Sequence, residues 1–593
     1  MHKQAPRIGA LVSGCAVCLS ILAGALNASN AYVVRNLVSD LPNLGDFTDP
    51  NLKGAWGISE SDKSPFWISD AATGVSTLYT SGGGVIPLVV TIPAAATGTG
   101  SPTGTVYNST TGFAVASGQP AAFIFATLDG TISGWNSTVN KTQSIVMVNN
   151  SSKAAVYTGL AIGANGSNTY LFAANINSGA IDVFDSNYAP VTMQGAFQDS
   201  QLPAGYVPFN VQYLAGNLYV TYALQNSGKN FIVPGVGNGY VDIFSTAGTL
   251  VKRLISAGNL NAPWGIAIAP ANFGDFANDV LVANFGDGTI NAYNPTTGAF
   301  VATLNDVYGT PIVVPNIWAL QLGNGASGGD ANAIYFTAGL PGPDGGPHGL
   351  LGRLQAAPVI TPANVLNGAS FQAPIAANTW VAITGANLAG TTREWNSEDI
   401  VNGALPTDLD SVSVTVNGTH AYVEYVSLTQ LNVLLPVGTA TGSAQIQTFS
   451  FGLSGPVVTV QVLDAAPAFF MQADGTHVVA THADGSLIGP AGTTGATPAA
   501  AGETIVMYGT GFGPTNPAAP EGMVITTPLP LAAGFPTVTF NGVAGTVQYA
   551  SLTYAGTFQI NVTIPASTPS GDVPVVAQVG SDMSPSTAMI SIQ

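Results

Sequence analysis

Four short segments carry Asp, Asn and Trp at matching places: TDPNLKGAW (48–56), VPFN (207–210), NAPW (261–264) and VPNIW (314–318). Each leads into a short apolar run. Gathered at one mouth, Asp49, Asn51, Asn210, Asn261 and Asn316 would present oxygen ligands to a hard cation such as Ca²⁺, which takes about six to eight of them. A cation held there polarises a substrate carbonyl. Trp56, Trp264 and Trp318 stand beside these residues and offer apolar walls to a ligand. The same residues also have a plainer reading. Asn and Asp cap turns, Pro fixes loops, and Trp wedges between packed sheets. Asp49 is the only acid in the set, and a Ca²⁺ site draws on more than one carboxylate.

Other candidates are few. Between residues 32 and 360 there is one Glu (Glu60), one His (His348) and no Cys. General acid–base chemistry needs titratable groups with partners. His348, in PDGGPHGLLG, offers a lone base or a ligand contact. Asp70, Asp129, Asp182, Asp242 and Asp287 fall in or beside hairpins at similar places in successive repeats, which favours structural roles. His477 and His482 are five apart and would alternate in facing along a strand, so they do not make a ready metal pair. GTGFGP (509–514) lacks the nucleophile of a G-x-S-x-G elbow. The sequence assigns no catalytic residue.

The elements that would position these groups are strands. Charged residues make up only 7% of the chain, Gly is abundant at 71, and Val, Ile, Thr, Tyr and Phe dominate the apolar runs. That composition predicts an all-β protein rich in tight turns. In NFGDGTINAYNPTTG (284–298), an apolar run, a Gly-containing turn and an alternating run read as a hairpin. No helix follows, so the loop is not a phosphate cradle. The pattern recurs with glycines at Gly74, Gly130, Gly179, Gly239, Gly288 and Gly349. Most copies have a short strand upstream, and all but the sixth have one downstream. Four strands per unit of about 50 residues, repeated around a ring, predict a six-bladed β-propeller over 32–358. The sixth unit lacks a downstream strand, and YVVRNLVS (32–39) precedes the first with nothing to pair; it is expected to complete the last blade and protect its edge.

Residues 359–593 contain one unit twice. WVAITGANLAG (380–390) matches IVMYGTGFGP (505–514), and VTVNGTHAYVEYVSLT (414–429) matches VTFNGVAGTVQYASLT (538–553). Asn-Gly between alternating apolar residues is a strong hairpin signal. These runs resemble IPT/TIG immunoglobulin-like domains found at the C-terminus of large exported bacterial proteins, which implies two β-sandwiches, 359–466 and 467–593. The runs NLVSDLPNLGDFTDPNLKGAWGIS (36–59), FATLDGTISGWN (125–136) and APWGIAIAPANFGDFANDVLVANFGDGTINAYNPTTG (262–298) resemble a family of uncharacterised exported bacterial β-propeller proteins. Those resemblances imply an architecture and no activity. A Ca²⁺ site at the mouth would be similar to that of lactonase-type propellers.

Residues 1–31 read as a signal peptide: basic Lys3 and Arg7, an apolar run from Ile8 to Leu26, and small residues before a cleavage expected ahead of Tyr32. Val12-Ser13-Gly14-Cys15 weakly matches a lipobox, although the apolar run continues past it. Both cysteines, Cys15 and Cys18, lie in this segment, so the mature chain would have no disulfide or thiol nucleophile. An exported protein, extracellular or at a bacterial cell surface or periplasm, is expected. Net charge is −18, and residues 394–593 contain no Lys or Arg. Nucleic acid and anionic membrane surfaces need such cations and are excluded as partners. The expected architecture and the thin set of titratable residues lead to a non-catalytic binding or adhesion-type protein that presents a propeller surface on an immunoglobulin-like stalk to a glycan or an extracytoplasmic protein. A metal-dependent lactonase-like hydrolase at the channel mouth is the alternative.

Overall fold

The computed structural model describes residues 30–342, 345–450 and 452–593. The signal-peptide reading of 1–31 lies outside these residues except for Asn30 and Ala31. The chain divides into two compact units, Asn30–Ala356 and a second that contains Ala357–Gln593. Both are built of strands.

The first unit contains six sheets of four or five strands. Their first strands are Ala55–Ser59, Pro102–Tyr107, Tyr157–Asn165, Tyr206–Leu214, Pro263–Ile268 and Ile317–Leu322. Each sheet is antiparallel from strand to strand, apart from one short parallel pair that Phe47–Thr48 adds to the sixth. Tyr32–Ser39 pairs antiparallel with Leu350–Ala356, so residues from both ends of the unit share the sixth sheet. Asn30 is part of this seam: its side chain donates to Thr303 O and accepts from Asn305 N. Cleavage ahead of Tyr32 would remove that anchor.

The first strands neighbour one another in cyclic order, and the sequence permits it through small residues. A Cβ on Gly57 would lie 2.3 Å from Thr103 O, one on Gly104 2.4 Å from Leu160 N, and one on Gly265 2.3 Å from Trp318 O. Real Cβ atoms do not approach backbone so closely, so these positions need glycine for contact rather than for turn geometry. Side chains stitch the same seams. Thr103 Oγ1 donates to Tyr157 O, Thr158 Oγ1 to Phe209 O, and Thr337 Oγ1 to Trp56 O.

The Gly286-Asp287-Gly288 loop is a hairpin bend, as its sequence reads. Gly288 has φ +77, and Asp287 accepts from Asn261 Nδ2 and from Thr289 N and Oγ1. Gly74, Gly130 and Gly179 likewise have positive φ. Gly239 and Gly349 do not serve as turn conformers. A Cβ on Gly239 would meet Pro263, and one on Gly349 would meet Leu52 O.

In the second unit, residues from facing sheets enclose two cores. One is lined by Val381, Ile383, Val412, Val414, Leu431 and Val433, the other by Ile505, Met507, Val538, Phe540, Ile560 and Val575. The two Asn-Gly turns have matching conformations: Asn417 and Gly418 at φ 50 and 82, Asn541 and Gly542 at φ 47 and 80. Positive φ at both central residues is the type I′ geometry that suits strand twist. A third cluster, with Trp380, Leu434, Phe470 and Tyr508, joins the halves. Trp380 Nε1 donates to Ala555 O, and Glu521 accepts from Tyr422 OH and Val437 N.

Candidate functional site

The six first strands surround a narrow channel. Where they begin, the channel is filled by aromatic rings. Trp56 and Trp318 stack at 3.6 Å between centroids, and Phe285 stacks on the same Trp318 ring at 4.3 Å. Trp264, Phe209 and Phe231 close around Trp318 edge-on. All three tryptophans are buried, at 5% exposure or less. Their apolar faces therefore contact one another, which is the wedge reading of these residues. Trp264 Nε1 donates to Thr158 O, whereas Trp56 Nε1 is buried without a partner.

The five oxygen-bearing candidates fall into four local networks, Asp49 and Asn51 sharing one. Asp49 Oδ1 accepts from Asn51 N and Nδ2, and its Oδ2 accepts from Tyr79 OH. Asn210 Nδ2 donates to Trp264 O, and its Oδ1 lies 2.3 Å from where a Cβ on Gly159 would be. Asn261 Oδ1 accepts from Gly235 N, and its amide donates to Asp287. Asn316 has positive φ, 52, and donates to Gly339 O. Each serves a turn or a seam. Among the described residues no cluster of three His, Cys, Asp or Glu side chains is placed to hold a metal ion.

His348 is brought to a partner that sequence reading missed. Its Nδ1 lies 2.6 Å from Asp40 Oδ2, and Asp40 Oδ1 accepts from Gly349 N. Lys53 Nζ is 3.8 Å from the same carboxylate. Behind them Asp70 is fully buried, and burial together with the charges of Asp49 and Asp40 pushes its carboxyl well above the ordinary range. His477 and His482 do not share a site. His477 stands between Asp474 and Asp572, and His482 pairs with Glu503 at 2.5 Å.

Past the aromatic rings, toward the end where the first strands finish, the lining turns polar, with Trp264 bordering both parts. A cavity of about 10 Å³ is lined from all six strands, including Thr105, Gln212, Trp264 and Gln321. That is room for one water-sized body. Glu60, just past the end of its strand, accepts from Gln321 Nε2 through Oε1. Its Oε2 is buried with no partner. Burial pushes this carboxyl up to about 8, partly offset by the Gln321 bond. Alternation along the strands could have placed Gln212 and Gln321 at a channel end, but nothing in the sequence distinguishes them from solvent-facing residues.

One exposed feature stands out near the aromatic end. The segment 225–239 is pinned by Gln225 Nε2 to Ile176 O, by Phe231 among the aromatic rings, and by Gly235 N to Asn261. Val233, between the last two anchors, and Val236, just past the third, are 40% and 82% exposed.

No family model matches the chain. It is 31% identical over 325 residues to the uncharacterized protein R648 of Acanthamoeba polyphaga mimivirus, covering 53% of this chain and 78% of that protein. The uncharacterized protein L690 of the same virus is 29% identical over 325 residues, covering 53% of this chain and 84% of its own length. Similar solved structures include a virginiamycin B lyase from Staphylococcus aureus, at 12% identity and TM-score 0.32, covering 55% of this chain and 99% of that one. A glucose dehydrogenase matches at 12% identity and TM-score 0.34, covering 54% and 98%. At such identities the activities of these proteins are not transferred.

Proposed function

Because the chain belongs to the family of the mimivirus protein R648, itself uncharacterized, its role has to be argued from its own geometry, and we propose an exported, non-catalytic binding protein. In this reading the six sheets of Asn30–Ala356 are the blades of a six-bladed propeller closed by its N-terminal strand. The two halves of Ala357–Gln593 are IPT/TIG-like sandwiches acting as a stalk. Export rests on the basic-then-apolar N-terminal segment. The partner is a glycan or an extracytoplasmic protein, and the exposed valines favour a protein.

The observation that carries this reading is the loop at 225–239. It is anchored at three points yet holds Val236 82% exposed, an arrangement that presents an apolar tip with little ordering cost on binding. Binding to panels of glycans and surface proteins tests it. Val236→Asp is expected to weaken capture of the cognate partner tenfold or more while leaving the unfolding midpoint in place, because exposed substitutions shift stability by only about 0.5 kcal/mol. An unchanged affinity in this variant would remove the loop from the binding surface.

The hydrolase alternative is supported by the Asp40–His348 pair, in which a carboxylate orients an imidazole. It requires a cation at the mouth, and both Asp49 oxygens are already bonded within the protein. Metal-stripped protein is therefore expected to show no change in unfolding midpoint with Ca²⁺. A ligand at about 100 times its Kd stabilises by roughly 2.7 kcal/mol, so a rise that Asp49→Ala abolishes would favour the hydrolase and make lactones the next substrates to try.

A further inference from the structure

We propose that the polar end of the channel binds one monovalent alkali cation, with Glu60 supplying the charge and Gln321, Gln212 and Thr105 supplying neutral oxygens. Three observations converge. First, the cavity is lined from all six first strands and admits one water-sized body, which is also the size of a dehydrated alkali ion. Second, Gln321 lines this cavity and donates its Nε2 to Glu60 Oε1 at 3.0 Å. That bond fixes the amide and leaves its carbonyl oxygen for an occupant. Third, Glu60, which adjoins the cavity through Gln321 rather than lining it, has its Oε2 buried with no hydrogen-bond partner. A buried polar atom left in this way is costly unless something satisfies it.

The charge balance selects the ion. A single carboxylate offsets a single positive charge, and the other oxygens are amide or hydroxyl. A divalent ion would retain a net charge away from bulk water, and Ca²⁺ or Mg²⁺ sites draw on more carboxylate than one. Water could fill the space and accept or donate hydrogen bonds, but it would not neutralise an ionised Glu60. Gln212 and Gln321 are only partly buried, so the end of the channel is open to ion entry.

The test uses the full chain at about pH 9, above the value near 8 to which burial pushes Glu60. Thermal unfolding is followed in sodium or potassium chloride and in choline chloride at equal ionic strength. The wild type is expected to melt at least about 2 °C higher in an alkali salt. Glu60→Gln, which keeps the shape and loses the charge, is expected to show no such difference. Crystals grown with Rb⁺ or Tl⁺ are expected to show an anomalous peak in contact with Glu60 and Gln321. An equal response in Glu60→Gln, no response in the wild type, or a water at this place in the Rb⁺ and Tl⁺ crystals overturns the proposal.

Discussion

Trp318→Ala is expected to destabilise the Asn30–Ala356 unit by about 3–5 kcal/mol, the range for deleting a buried aromatic ring. The indole is 4% exposed and touches rings from several elements: Trp56 at 3.6 Å, Phe285 at 4.3 Å, and Phe209 and Trp264 at 5.8 Å. Truncation removes the area it buries and leaves a void walled by rings whose backbones are fixed in separate sheets, so collapse around the void is limited. Denaturant unfolding of the full chain, followed through the transition of this unit, measures the loss. If the aromatic end of the channel were instead an open ligand pocket, the ring would be partly solvated in the free protein. The same variant would then lose well under 2 kcal/mol, and that result would return these tryptophans to the list of ligand contacts.

The second large effect is a loss of stability between about pH 5 and pH 8.5. Besides Asp70, buried carboxyls held above their ordinary range near 4 include Glu60, Asp242 and Glu424. Burial pushes Glu60 up to about 8. Burial, then the neighbouring Asp199, pushes Asp242 up to about 7 against the pull of Arg253. Burial, then Glu394, pushes Glu424 up to about 7. In each case the folded state keeps a proton that the unfolded chain releases near pH 4. The stabilisation is complete below that pH and is lost as pH rises through the folded value. A single such group changes stability by up to about 1.4 kcal/mol per pH unit within its window. The window closes near 7 for Asp242 and Glu424 and near 8 for Glu60. The expected total for the Asn30–Ala356 unit, which holds Glu60 and Asp242, is several kcal/mol. Calorimetric midpoints at the two pH values measure it, and Glu60→Gln should remove the part of the fall nearest pH 8. A midpoint that is flat or rises across this range would mean that the carboxyls are ionised and compensated in the folded state.

What could be read from the sequence follows from what is local. Turn residues act within a few positions, so Gly288 and the Asn417-Gly418 and Asn541-Gly542 pairs were legible as bends. The repeat of short strands was legible because every sheet of the first unit but the sixth is built from one continuous stretch of chain. Gly57, Gly104 and Gly265 show the limit. In sequence a glycine that permits a positive φ and one that admits a neighbouring strand look alike, and only the packing of adjacent sheets tells them apart. Long-range partners were equally hidden. Asp40 and His348 are 308 positions apart, and no spacing rule links them. The polar residues at the mouth drew attention by type, yet turns and seams occupy their hydrogen-bonding groups. Gln212 and Gln321 drew none, because a glutamine at the end of a strand reads as an ordinary surface residue.

Tyr32 stands opposite Ala356 in the sixth sheet, so the chain enters and leaves the Asn30–Ala356 unit side by side. A unit with adjoining ends behaves as a cassette. It can be spliced between other segments, or excised from them, without a spacer to bridge its diameter and without opening any sheet but one. The mimivirus relatives match this chain over 325 residues and 53% of its length, a span close to that of the unit.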